Sequence, residues 1–105
     1  KKTIDVKHIK YNQTSSDNIK KGGFCGGSGA SFIHQALKLN CDAYVTADLK
    51  YHDYFEAQNN LLLVDIGHYE SEHLIKVHLK DILSEKLPNI AVLYSKVHTN
   101  PVLHA

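Results

Sequence analysis

The segment Asp65-Ile66-Gly67-His68-Tyr69-Glu70-Ser71-Glu72 concentrates the acid, base and ligand chemistry of this sequence. Residues four apart share one face of a helix, so a helix begun at His68 sets its imidazole beside the Glu72 carboxylate. A histidine and a carboxylate at that spacing can hold one divalent cation. They can equally hydrogen-bond to each other or to backbone at a helix start, where the helix dipole alone favours acids. Spacing leaves both open.

Two further segments carry suitable side chains. In Thr46-Ala47-Asp48-Leu49-Lys50-Tyr51-His52-Asp53, three readings stay open for Asp48, Lys50 and His52. They are a general acid/base set, an anion anchor with a proton carrier, or further metal ligands, against the plain alternative of a polar surface loop. The stretch Gly22-Gly23-Phe24-Cys25-Gly26-Gly27-Ser28-Gly29 holds five of the six glycines. It lacks the third glycine of a dinucleotide fingerprint and the lysine of a Walker loop. What remains is a strand-to-helix turn in which Gly26, Gly27, Ser28 and Gly29 let a neighbouring group or an anion approach the backbone. Cys25 reads as a small core residue rather than a nucleophile.

These segments need a scaffold that brings them to one rim. A rough period-two pattern from Ile4 to Tyr11 predicts an edge strand, and the polar run Asn12 to Asn18 a turn. A strand over Ile19 to Cys25 follows, weakened by Gly22-Gly23, then a helix from Ala30 to Leu39, capped by Ser28 or Ser31 and closed by Asn40. Asp42 to Thr46 is β-rich, Tyr54 to Gln58 a helical turn, and Leu61 to Ile66 reads as a strand covered on both faces. The spacing of Leu74, Ile75, Leu79, Ile82 and Leu83 predicts one helix over Tyr69 to Leu87. Its stripe through Ile75, Leu79 and Ile82 takes in His68 and Glu72 and faces the sheet. Pro88 and Asn89 end it before a last strand at Ile90 to Tyr94. The predicted class is α/β: a single domain over residues 1–105, with a mixed, mostly parallel sheet flanked by helices and an antiparallel strand at the N-terminal edge. In such sheets ligands bind beyond the strands' C-terminal ends, where Asp48 and His68 fall.

Composition narrows the function classes. The 105 residues carry a formal charge of +1, and all twelve basic residues are lysine. Without arginine, the favoured reader of guanine edges and phosphates, a nucleic-acid partner is not expected. The apolar runs are far shorter than the ~20 residues of a membrane span, so no membrane partner is expected either. Two cysteines sixteen positions apart, with no C-x-x-C and no apolar leader, predict free thiols and a cytoplasmic setting. Eight histidines are an excess of the commonest metal ligand. The chain opens on lysine and has no methionine, which predicts a piece of a longer protein.

Taken in order, Cys25-Gly26-Gly27-Ser28-Gly29, Thr46-Ala47-Asp48-Leu49-Lys50-Tyr51-His52, Asp65 to Glu72 and Thr99-Asn100-Pro101 resemble one family over nearly the whole chain. It is the dinuclear-metal-centre family of GTP cyclohydrolase 1 type 2 homologues, also called the NIF-three-like proteins. Two departures stand out: Gly22-Gly23 replace β-formers, and Ala47 replaces a frequent glycine. The resemblance implies that this chain is the C-terminal part of the protein and that His68 and Glu72 are metal ligands. It implies two divalent ions in the full-length protein, zinc, iron or manganese, completed by ligands from the N-terminal half. It also implies a full-length homo-hexamer, whereas the chain alone is expected to be a monomer. The function expected is metal-dependent hydrolysis of a phosphate ester, nucleotide or pterin-like substrate, the fragment alone being inactive. Lys50 or the glycine turn would steady an anion, and His52 would move a proton. The alternative is a non-catalytic metal-binding scaffold or protein-interaction module.

Overall fold

A computed structural model describes residues 5–15 and 17–105. The chain divides into two compact units, one ending at Glu72 and one running from His73 to Ala105. The first is built on a four-stranded sheet of β1 (Lys10–Tyr11), β2 (Gly22–Ser28), β3 (Ala43–Ala47) and β4 (Leu62–Asp65), in the order β1-β4-β3-β2. β2 and β4 run parallel to β3, and β1 is antiparallel to β4. This is the mixed, mostly parallel α/β sheet with an antiparallel first strand that the hydrophobic pattern predicts.

The boundaries move for identifiable reasons. The edge strand pairs only at Lys10 and Tyr11, because the Asn12 side chain takes over the next positions. Its Nδ2 donates to Leu61 O at 3.0 Å and its Oδ1 accepts from Leu63 N–H at 2.7 Å. Ile4, the start of the expected strand, lies outside the described residues. β2 begins at Gly22 rather than Ile19, since one Asp42 oxygen captures the Lys20 and Lys21 amides at 2.8 and 2.9 Å. Those two hydrogen bonds also hold the Asp42 carboxyl below its ordinary pKa.

The predicted helix at Ala30 opens as a 3₁₀ turn, Ala30–Phe32, and becomes α1 only over Ile33–Lys38. No side chain caps either start, because the Ser28 hydroxyl is spent elsewhere, as described below. The helix ends in a Schellman pattern: Asn40 is left-handed at φ 56°, Cys41 N–H reaches Ala36 O at 3.0 Å and Asn40 N–H reaches Leu37 O at 3.0 Å.

The core lies between the sheet, α1 and the 3₁₀ helix Tyr51–Ala57, and comprises Ile33, Ala36, Cys41, Tyr44, Leu49, Ala57, Leu61 and Leu63. Tyr44 and Leu63 are register partners on neighbouring strands, and Thr46 and Asp65 are partners two positions on. With a side-chain period of two, one sheet face therefore turns from apolar to polar towards its C-terminal rim, and all four residues stay buried.

The long helix expected from Tyr69 to Leu87 is two helices, α2 (His68–Glu72) and α3 (Ile75–Lys86). Ser71 Oγ donates to the His68 carbonyl at 2.8 Å, and a hydroxyl competing for a helical carbonyl bends or ends the helix there. α3 has no buried residue, so the predicted stripe through Ile75, Leu79 and Ile82 does not prolong a buried face. Among the described residues no strand forms at Ile90 to Tyr94, where the sequence predicts one. Among the described residues no helix is long and apolar enough to cross a membrane.

Candidate metal centre

Beyond the C-terminal ends of β3 and β4, the chain makes two sharp turns that one buried carboxylate joins. Asp65 Oδ2 accepts the Leu49 amide at 2.9 Å and Oδ1 the Gly67 amide at 3.0 Å, with Lys10 Nζ 3.5 Å away. Asp48, just before Leu49, is left-handed at φ 58°, a conformation that a short polar side chain tolerates better than most. Gly67, at φ +92°, reverses the chain into α2; a Cβ there would sit 2.1 Å from Glu70 Oε2.

This arrangement sets Asp48 against His68. The imidazole Nδ1 is 2.6 Å from Asp48 Oδ2, and Nε2 is 3.0 Å from Glu72 Oε2. The same Asp48 oxygen accepts from Ser28 Oγ at 2.5 Å. Ser28 reaches the carboxylate and not the imidazole, so the trio is no activated-serine triad, which needs the hydroxyl on the ring nitrogen. The Ser28 hydrogen bond, with that of His68, keeps the Asp48 carboxyl below its ordinary value. The Asp48 hydrogen bond in turn raises the imidazole pKa against some desolvation. As the imidazolium, His68 donates to both carboxylates. His68 and Glu72 are not part of a buried face, as the helical stripe suggested: their side chains are 50% and 49% exposed. The break after α2 leaves them on the rim.

The glycine turn fits around this pair. Gly27 is left-handed at φ +71°, and a Cβ on it would lie 2.3 Å from Glu72 Oε1 and 3.3 Å from His68 Nε2. Its amide donates to Ser71 Oγ at 2.8 Å, so the nearest backbone donor of the proposed anion turn is already engaged. Tyr44 OH donates to Gly29 O at 2.7 Å, and Thr46 Oγ1 lies 2.8 Å from Cys25 O and 3.0 Å from Gly27 O. These bonds hold the turn down where the β2–β3 register shifts. Burial pushes the Tyr44 hydroxyl pKa up.

Of the residues singled out in the sequence, the structure brings together His68, Glu72, Asp48, Ser28 and Gly27. His52 instead stacks edge-on against Tyr51 at 5.1 Å and lies 6.4 Å from the Phe55 ring, on the 3₁₀ helix. Lys50 opens that helix, its amide donating to Asp53 Oδ2 at 2.7 Å. Two residues inside the Asp65–Glu72 motif take roles that its spacing does not show: Ser71, which links Gly27 to α2, and Asp65, which joins the two turns. A polar residue ending an otherwise apolar strand is the signal for Asp65.

Among the described residues no group of three or more His, Cys, Asp or Glu side chains is arranged to hold a metal. The donor set fits part of such a centre. Nε2 and Oε2, 3.0 Å apart, have a separation that two ligands with bonds of about 2.0–2.2 Å to one ion can adopt. A carboxylate on the far ring nitrogen is the usual support of a metal-binding histidine, and Asp48 supplies it.

The family model for Duf34/NIF3 (NGG1p interacting factor 3) matches residues 1–101. A GTP cyclohydrolase 1 type 2 homolog of Staphylococcus epidermidis is 37% identical over 106 residues, an alignment taking in 96% of this chain and 29% of the relative. The Staphylococcus aureus protein of the same name is 35% identical over 107 residues, with the same shares. A crystal structure of a Staphylococcus aureus hypothetical protein superposes with a TM-score of 0.84 at 30% identity, covering 95% of this chain and 35% of that one. A Bacillus cereus protein related to NIF3 gives 0.75 at 29% identity, over 97% and 29%. The chain thus spans under a third of the length of the curated relatives it matches.

Proposed function

The chain belongs to the Duf34/NIF3 family, and on that premise we propose that it carries one part of a divalent-metal centre, with His68 and Glu72 as ligands. The observation that carries this is the position of the His68 ring. Nδ1 is fixed by Asp48, and Nε2 faces the Glu72 carboxylate across 3.0 Å at a half-exposed rim. Asp48 selects the tautomer in which Nε2 has the lone pair once its proton leaves. Gly27, lacking a side chain, leaves room for the Glu72 carboxylate. Two donors are fewer than a closed centre requires, and the remaining ligands come from the rest of the longer protein.

In that protein the proposed activity is hydrolysis of a phosphate ester, nucleotide or pterin-like substrate, for which divalent ions held in part by His68 and Glu72 would supply Lewis acidity. This chain holds the ligands in register and excludes a side chain at Gly27. Lys50 and His52, outside the His68 cluster at the start of the 3₁₀ helix, are proposed to steady an anion and move a proton only in the assembled full-length site. The full-length protein is proposed to be a hexamer working in a reducing, cytoplasmic setting, where the free Cys25 and Cys41 stay thiols; this chain alone is a monomer.

The test is hydrolysis of generic phosphoesters by the longer protein, with and without zinc or manganese. Metal-dependent turnover abolished in Glu72→Ala supports the enzyme. Metal binding lost in Glu72→Ala without turnover in the parent leaves the non-catalytic scaffold. Metal binding and turnover both unaffected by Glu72→Ala and His68→Ala overturn the ligand assignment.

A further inference from the structure

The Ser28 hydroxyl serves an element far from its own. Ser28 stands just before the 3₁₀ turn Ala30–Phe32, where the sequence predicts that it caps a helix, and a serine cap contributes about 1 kcal/mol. No side chain caps that start. Ser28 Oγ donates instead to Asp48 Oδ2 at 2.5 Å, 20 residues along the chain. The residue is exposed, so water is at hand for the hydroxyl and burial does not impose the bond.

The sheet is irregular at the place that makes this reach possible. β2 pairs with β3 in plain parallel register from Gly22 on Ala43 to Phe24 on Val45, and next at Ser28 on Ala47. The extra length of β2 between Phe24 and Ser28 is a bulge, a device that re-aims side chains beside sites. It sets Ser28 abreast of Ala47, next to Asp48. The peptides on either side of Ser28 are tied down: Thr46 Oγ1 lies 3.0 Å from Gly27 O, the Gly27 amide donates to Ser71 Oγ at 2.8 Å, and Tyr44 OH donates to Gly29 O at 2.7 Å. Asp48 is fixed from its own side, because the Leu49 amide that follows it donates to the buried Asp65.

Two donors share one oxygen of Asp48: Oδ2 takes Ser28 Oγ at 2.5 Å and faces His68 Nδ1 at 2.6 Å. With a single donor a carboxylate is free to turn and offer either oxygen, since that terminal torsion is broad; a second donor on the same oxygen, from a different element, holds it. Resting on the reading of His68 and Glu72 as ligands, we infer that Ser28 is a positioning residue of that centre: its hydroxyl locks the Asp48 carboxylate onto His68 Nδ1, so that the neutral ring keeps its proton there and presents Nε2, 3.0 Å from Glu72 Oε2, to a divalent ion. Glu72 competes for the same proton from the other side of the ring, and the proton a ring nitrogen keeps is set by the partner held on it. With its ring-facing oxygen occupied twice, Asp48 supports His68 and is not a third ligand through Oδ2.

Ser28→Ala and Ser28→Thr in the 105-residue chain test this, first metal-free and then titrated with zinc. The ring-nitrogen NMR shifts of His68, read at alkaline pH where the ring is neutral, report which nitrogen holds the proton. The parent should be mainly Nδ1-protonated, and Ser28→Ala should move the ring toward the Nε2-protonated form. Zinc affinity at His68 should fall about 3- to 10-fold in Ser28→Ala, less than the ~10–100-fold of losing a direct partner such as Asp48. The melting temperature, with an exposed side chain changed, should move by no more than about 4 °C. Ser28→Thr keeps the hydroxyl and should restore both the tautomer and the affinity. A parental tautomer and parental zinc affinity in Ser28→Ala overturn the proposal and leave the ligand reading standing alone. A loss that Ser28→Thr fails to restore also overturns it, by making the residue merely structural. Zinc that leaves His68 of the parent unmoved overturns the ligand reading, and the proposal with it, even where the tautomer follows Ser28.

Discussion

Replacing Gly27 with alanine perturbs the site through backbone and packing together. A β-carbon at φ +71° costs about 1–2 kcal/mol for the left-handed conformation alone. That carbon would also lie 2.3 Å from Glu72 Oε1 and 3.1 Å from its Cδ, so the carboxylate must swing away. The half-exposed His68–Glu72 pair that breaks is worth ~0.2–1 kcal/mol. The sum is about 1–3 kcal/mol, or a fall in melting temperature of at least about 4 °C in a chain of this size. Gly22→Ala is the matched control: no atom lies within 4 Å of its Cβ and its φ is not left-handed. It should be neutral or stabilising by up to about 1 kcal/mol. Thermal unfolding of both variants, with the Glu72 carboxylate and His68 ring signals followed by NMR, decides. If Gly27→Ala melts with Gly22→Ala and leaves the His68 ring unmoved, the close approach of turn and ligand pair is wrong.

Three further outcomes are expected. Asp48→Asn should lower the His68 titration midpoint seen by NMR, since the Asp48 hydrogen bond is the largest cause of its rise above the ordinary 6.5. Because that pKa is raised, the stability His68 contributes is complete below about pH 6.5 and is lost as pH climbs through the folded value. Urea midpoints at about pH 6 and pH 9 should therefore differ less in Asp48→Asn than in the parent. Asp65→Ala leaves the buried Leu49 amide and the half-buried Gly67 amide without acceptors and should cost about 2–5 kcal/mol by urea unfolding; under 1 kcal/mol would mean the two turns are held otherwise. Tyr54 has a buried hydroxyl with no hydrogen-bond partner among the described residues, so Tyr54→Phe should be neutral or stabilise by about 1 kcal/mol. A clear loss would show that the hydroxyl is bonded, for instance through water.

The sheet was legible because hydrophobic runs and short polar connections leave little choice: Leu61 to Ile66 can only be central, and an antiparallel first strand can only pair at its edge. His68 and Glu72 were legible because a local spacing carries them. The sequence could not show how Asp48 and Ser28 converge on the His68 ring, since that depends on a left-handed Asp48, on Asp65 and on the β2 bulge, all set by tertiary contacts. The long helix was misread because apolar periodicity runs through Tyr69 to Leu87 without a glycine or proline. Only the Ser71 hydroxyl, bonded at both ends, marks the break after Glu72. The terminal strand was misread differently: Ile90 to Tyr94 has the right residues, but a strand needs a partner, and none among the described residues supplies one.

Titration of the chain with zinc and with manganese, following the rings of His52 and His68 by NMR beside Glu72→Ala, tests the central claim most directly. Ligation by His68 and Glu72 should give changes centred on His68 that weaken in the variant, with release of the Nε2 proton on metal addition, so that apparent affinity rises with pH. Changes confined to exposed histidines such as His104, or a response at His68 that Glu72→Ala leaves intact, would contradict it.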